Sequence, residues 1–209
     1  MSGTTVFWYA SRATGIVALL LLTAVLVLGI LVNRQGRLPG LPRFAVTDLH
    51  RNLSLLAVAF IAVHVFTAVL DTYVHIPISA GVIPFASGYE RLWLGLGAIS
   101  FDLMLAMIIT SLLRGRLNRV LWRAVHLLAY LCWPVAFAHS IGSSRDLQHG
   151  WLLDLAVGCV LAVAAAVIWR LAHAARQLPR AERVAAILAH QAPASGTRGS
   201  ERTRERIAR

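Results

Sequence analysis

The chain has 209 residues, 58% hydrophobic and 14% charged, with a mean hydropathy of +0.69. A soluble domain carries roughly a quarter charged residues, so this composition excludes an ordinary water-soluble fold. Five apolar stretches of about twenty residues can each cross a ~30 Å hydrocarbon core. The short loops, lead and tail that remain fall below the ~50 residues of a small domain, which excludes a nucleotide-binding module within these residues.

The first apolar run, 15–32, follows Phe7, Trp8 and Tyr9, which suit an interfacial aromatic belt. It lacks the positive n-region and the short h-region of a cleavable signal peptide. The second run is 53–70, the third 92–113 with Asp102 near its middle, the fourth 120–141 and the fifth 151–169. A Pro/Gly/Ser-bearing stretch, 73–90, is expected to lie on the membrane surface. No internal repeat is evident.

The net charge of +11 comes from Arg alone, with no Lys. Together with abundant Ala, Leu and Val, that bias fits a GC-rich bacterial genome. The arginines alternate between loops: Arg34, Arg37, Arg43 and Arg51 follow the first span, and Arg114, Arg116, Arg119 and Arg123 follow the third. The other two loops are nearly neutral. The positive-inside rule then predicts a multi-pass protein of the bacterial plasma membrane, N-terminus outside and C-terminus cytoplasmic. The charge reads as topology and contact with lipid, not as nucleic-acid binding. Residues 1–172 are expected to form the membrane domain and 173–209 an Arg-rich tail. That tail is expected to hold a short amphipathic helix at 181–190 and to be otherwise largely disordered. Cys132 and Cys159 lie inside apolar runs and form neither a disulfide framework nor a C-x-x-C motif. Oligomeric state is not legible.

Four of the eight histidines form two matched sets. His50 and His64 bracket the second span, fourteen residues apart, and His126 and His139 bracket the fourth, thirteen apart. At 1.5 Å per residue these are separations of ~21 and ~20 Å, so each helix offers one imidazole towards each leaflet. Spans two and four run in the same direction, which puts His50 level with His126 and His64 level with His139. Facing side chains on neighbouring helices are how bundles build cofactor sites. Two axial imidazoles suit haem iron, whereas structural zinc needs four clustered ligands. The helix-two stripe His50, Ser54, Ala57, Ile61, His64, Ala68 keeps to one face. Fourteen residues turn an ideal helix by about −40°, but thirteen turn it by about −140°. A kink or local unwinding at Pro134 is the expected means of re-aiming one imidazole of the fourth span. The other reading is of helix-end histidines bonded to loops or headgroups, the reading given to His75, His149, His173 and His190. With no C-x-x-C-H motif, any haem would be b-type.

These residues resemble the ferric reductase-like transmembrane domain family, the membrane core of ferric reductases and NADPH oxidases. The resemblance rests on the four-histidine spacing, on Tyr9-Ala10-Ser11-Arg12-Ala13-Thr14-Gly15, and on Trp122-Arg123-Ala124-Val125-His126-Leu127-Leu128-Ala129-Tyr130. It covers about residues 6–170. It implies an all-α, five-helix membrane bundle with a di-haem core, holding two haem b as inner (His50/His126) and outer (His64/His139) centres. It further implies electron transfer from a cytoplasmic flavin donor to an external acceptor such as ferric iron or dioxygen. Full-length members carry FAD- and NAD(P)H-binding domains after the last helix, where this chain has the Arg-rich residues 170–209. FAD or FMN is therefore expected only through a separate cytoplasmic flavoprotein reductase, steered by the arginines near His126. The chain would be the membrane subunit of an oxidoreductase.

Arg12 is expected to pair with an outer haem propionate, the alternative being a snorkelling helix-end arginine. Arg51 and Arg123 are candidates for inner propionates or serve topology alone. Gly15 would admit a porphyrin edge or let helices pack closely. Asp102 would relay a proton or stay neutral beside a hydroxyl. Two other functions remain open: a b561-like quinol or ascorbate di-haem oxidoreductase, and a non-redox membrane scaffold or transporter subunit.

Overall fold

The computed structural model describes residues 3–33, 43–71, 76–144 and 146–191. Among these the chain is all-α, without strands. Six helices follow in order: α1 (Gly3–Asn33), α2 (Arg43–Leu70), α3 (Arg91–Leu112), α4 (Arg119–His126), α5 (Ala129–Ser143) and α6 (Gly150–Gln191). Two 3₁₀ turns, Ile78–Gly81 and Asp146–Gln148, precede α3 and α6.

Five segments are long and apolar enough to cross a membrane: Val6–Leu31, Phe44–Leu70, Arg91–Leu112, Arg119–Ser143 and Gly150–His173. The protein is a multi-pass membrane protein. Its helices turn apolar side chains outward as well as inward; Leu55, Phe66, Leu112 and Leu161 are all more than 60% exposed. In hydrocarbon such faces meet lipid, and the helix hydrogen bonds keep the backbone satisfied within each segment. The polar side chains of the spans follow the same rule. Thr14, Thr67 and Ser140 each return their hydroxyl to the carbonyl four residues back, leaving no donor facing lipid.

Residues 1–167 form one compact unit and 168–209 another. In the first, α1 packs along α2, α3 packs along α5, and α1 also meets α5. Leu19 of α1, Leu147 of the 3₁₀ turn Asp146–Gln148 and Ala156 of α6 form a buried cluster, with Ile16, Phe137 and Leu152 packed against it. Trp133 of α5 donates its indole N–H to the hydroxyl of Thr23 on α1 at 2.9 Å, and both side chains are buried. In the second unit α6 continues helically to Gln191, past the expected end of the fifth run at 169 and through 181–190. Ala, Leu and Arg, all strong helix formers, dominate that stretch. The disorder expected further on concerns 192–209, which lie outside the described residues, as does His75.

The fourth span departs from a single helix. It breaks at Leu127 and Leu128, between α4 and α5, while α5 runs on through Pro134. The expectation that unwinding would sit at Pro134 itself is thus corrected. Proline has no N–H to give the carbonyl of Tyr130, four residues back, and its ring crowds that carbonyl. The disturbance accordingly falls on the N-terminal side, where Leu128, Tyr130 and Leu131 all bond three residues back to Val125, Leu127 and Leu128.

Replacing Thr23 by Val should strand the buried indole N–H of Trp133 and cost about 1–3 kcal/mol. A lowered thermal midpoint in detergent would register it, and adding Trp133→Phe should restore part of the loss.

Two facing histidine pairs as the candidate functional site

The four histidines singled out by spacing meet in two pairs. His50 and His126 have ring centroids 6.4 Å apart with planes crossed at 68°. His64 and His139 are 6.2 Å apart, crossed at 71°. Each pair spans α2 and the α4–α5 rod, which are not among the closely packed helix neighbours. The imidazoles meet across a gap between two packed helix pairs, α1 with α2 and α3 with α5.

Three of the rings are held in the same way. Nδ1 of His64 lies 2.8 Å from the carbonyl of Ser11, Nδ1 of His50 lies 3.1 Å from that of Val25, and Nδ1 of His139 lies 2.8 Å from that of Trp93. A carbonyl only accepts, so each Nδ1 donates and each Nε2 keeps its lone pair. Four residues after each accepting carbonyl stands a glycine: Gly15, Gly29 and Gly97. A Cβ built on Gly15 would lie 3.0 Å from the His64 ring, on Gly29 3.3 Å from His50, and on Gly97 2.7 Å from His139. The glycines let an imidazole reach a carbonyl that is already inside a helix. Gly15 therefore receives an imidazole, which neither sequence reading of it foresaw.

His126 is different. Its Nδ1 is buried without a hydrogen-bond partner, and so is Nε1 of Trp122 one turn earlier. The two rings stack at 5.0 Å and 19°, and the Arg114 guanidinium lies 5.0 Å over the indole. Packing, not a hydrogen bond, orients this ring.

A cleft opens at the level of His64 and His139. Its cavity volume is about 120 Å³, and many of its walls are apolar and small: Gly15, Ala18, Ala68, Gly97, Ala98 and Ala136. Ile76, Ala80 and Gly81 of the second connection also line it. That connection therefore covers one end of the cleft rather than lying wholly apart on the membrane surface.

The arginines are less convergent. Arg12 starts from the His64 level, next to Ser11, but its guanidinium pairs with Asp146 at 2.8 Å and lies 4.0 Å over Trp8. Arg51 and Arg123 neighbour the His50/His126 level with exposed side chains. The arginine in contact with the site there is Arg114. Asp102 is half-buried on α3 and does not line the cleft. His173 bonds back to the Trp169 carbonyl of its own helix, and His149 is exposed. Among the described residues no group of three or more His, Cys, Asp or Glu could hold a metal ion. Each pair brings two imidazoles together with, among the described residues, no third His, Cys, Asp or Glu beside them.

This is a helical membrane protein with two facing imidazole pairs, one towards each end of the same helices. Residues 14–137 match the family described as ferric reductase like transmembrane component, and the chain belongs to that family. The match suggests membrane electron transfer as its business. No curated protein and no solved structure matches it significantly.

Gly97→Ala, Gly15→Ala and Gly29→Ala should destabilise the protein in that order, following the 2.7, 3.0 and 3.3 Å clearances. The largest effect should include a lost Nδ1 bond, about 0.5–1.5 kcal/mol. Thermal unfolding of the three variants in detergent tests the ranking.

Proposed function

We propose that the protein carries electrons across the membrane through two b-type haems, one held by His50 and His126 and the other by His64 and His139. The observation that carries this reading is the spacing of the facing rings. Two imidazole–metal bonds of about 2.0 Å each, plus the reach from each nitrogen to its ring centre, come to roughly 6 Å; the pairs stand at 6.4 and 6.2 Å. Three Nδ1–carbonyl bonds leave Nε2 free to ligate, as in metal-bound histidines whose other ring nitrogen donates to a carbonyl. A porphyrin supplies four equatorial ligands of its own, which fits sites with two protein nitrogens and no more.

When bound, such haems would supply one-electron carriers at two depths, joining a cytoplasmic flavin donor to an external acceptor such as ferric iron. This chain's part is to fix the imidazoles, exclude water with apolar walls, and balance propionate charge. Arg12 is the candidate at the outer site, exchanging with or sharing its Asp146 partner, and Arg51 and Arg123 are candidates at the inner one. By the positive-inside rule the His50/His126 level faces the cytoplasm of a bacterial cell. Arg114, Arg116, Arg119 and Arg123 there would steer an acidic flavoprotein reductase carrying FAD or FMN.

Purified protein should give a reduced-minus-oxidised spectrum of b-type haem and two haems per chain by pyridine haemochrome. His64→Leu and His139→Leu should each lose the same haem, and His50→Leu and His126→Leu the other. Absence of haem, or pairing of His50 with His139, would refute the reading. Reduction by NADPH should require added flavoprotein and slow at high salt, since screening weakens steering between exposed charges. Stopped-flow reduction at two ionic strengths measures this.

A further inference from the structure

Trp93 of α3 touches α5 twice, through its backbone and through its ring. Its carbonyl accepts from Nδ1 of His139 at 2.8 Å, and its indole lies so close to Gly142 that a Cβ there would overlap the six-membered ring. Gly97 in turn receives the His139 ring, 2.7 Å from a Cβ built on it. Each helix thus sends a ring onto a glycine of the other. Trp93 and Gly97 are four residues apart, His139 and Gly142 three, so the clasp occupies about one turn of each helix. Further along the same antiparallel pair, the Cys132 thiol donates to the Ser100 carbonyl at 3.4 Å. The start of α3 is also backed from another side. Gly95 is turned by about 200° from Gly97, and the Phe85 ring fills the space where its Cβ would stand. Nε of Arg91 donates to the Phe85 carbonyl at 2.9 Å, tying that residue to the first turn of α3.

We infer that Trp93 is a positioning residue for His139: the seat of its indole on Gly142 sets where its carbonyl stands, and so how firmly that carbonyl holds Nδ1 of the axial ligand. The inference rests on the haem reading above. Trp93 lies in the first turn of α3, where backbone N–H groups have no intrahelical partner, so the packing of its ring does much to fix its peptide. A hydrogen bond from Nδ1–H makes an imidazole a more basic ligand and fixes its orientation, and loss of such a partner costs about ten- to a hundred-fold in metal affinity. A more basic ligand favours ferric over ferrous iron, so loosening the bond moves the midpoint potential to more positive values. A methyl at residue 142 meets the indole, and with Phe85 seated on the opposite side α3 cannot simply back away. The indole has to move, and the carbonyl moves with it.

Gly142→Ala in the purified holoprotein tests this. The haem that His50→Leu retains should be lost to excess apomyoglobin about ten-fold more readily or more, and its midpoint potential should become more positive. Its ferric EPR signal, which follows the angle between the axial imidazole planes, 71° for His64 and His139, should move as well. The other haem should keep its potential and signal. Trp93→Leu alone, which removes the seated ring but keeps the carbonyl, should shift the same haem in the same direction by less. Gly142→Ala combined with Trp93→Leu has room for the methyl and should match Trp93→Leu alone. Unchanged potential and EPR in a Gly142→Ala protein with both haems bound overturn the inference, and so do equal shifts of both haems. A combined variant that shifts as far as Gly142→Ala overturns it too, since the effect would then lie on α5 itself. If Gly142→Ala does not fold, an unshifted Trp93→Leu protein is the result that overturns it. A protein without haem would instead overturn the reading beneath it.

Discussion

The structure turns on a contact between an imidazole on one helix and a backbone carbonyl inside its neighbour. A carbonyl within a helix already accepts from the N–H four residues on, and the side chain at that fourth residue covers the approach to its second lone pair. Only glycine leaves the approach open. The matched spacings of Gly15 to Gly29 and of His50 to His64, fourteen residues in both cases, are therefore one constraint expressed on two antiparallel helices. Fourteen is two heptads. Helices that wind around each other at 3.5 residues per turn return to the same face after each heptad. Both histidines of α2 can thus face α1 at once and remain on a common side, and no distortion is needed.

The other half of the bundle has to solve a harder problem. Thirteen residues separate His126 from His139, which is not a whole number of heptads, and an unbroken helix would point the two rings well apart. The break at Leu127 and Leu128 changes that. Three bonds to residues three back, from Leu128, Tyr130 and Leu131, mark chain that advances at about 120° per residue instead of 100°, recovering part of the missing rotation. The two pairs end with nearly the same separation and crossing angle although they are built on different local geometry.

Much of this was legible in the sequence, because the membrane imposes simple rules. Apolar run length sets the spans, and the histidine spacing gives both the pairs and their levels. What stayed hidden was contact between helices. Gly29 and Gly97 went unremarked although Gly29 repeats the fourteen-residue interval from Gly15, a signal that was available. The glycine–histidine contact recurs on two helix pairs, yet no repeat shows in the sequence, since only two or three residues per helix carry it. Pro134 was recognised as a disturbance, but its effect propagates towards the N-terminus and emerges six residues earlier. Arg114 was grouped with its neighbours by charge. Only the fold reveals that it, and not Arg123, covers the Trp122 ring. The Arg12–Asp146 pair joins residues too distant in sequence for any spacing rule to connect.

The two ends of the bundle are finished differently. At the His64/His139 level the 3₁₀ turn Ile78–Gly81 lines the cleft, and the Arg12–Asp146 pair ties the first helix to the turn before α6. Both histidines there have a backbone partner. At the His50/His126 level the neighbouring arginines are exposed and the last ring is held by stacking alone. The Arg114–Trp122–His126 stack joins an exposed arginine to the His50/His126 pair.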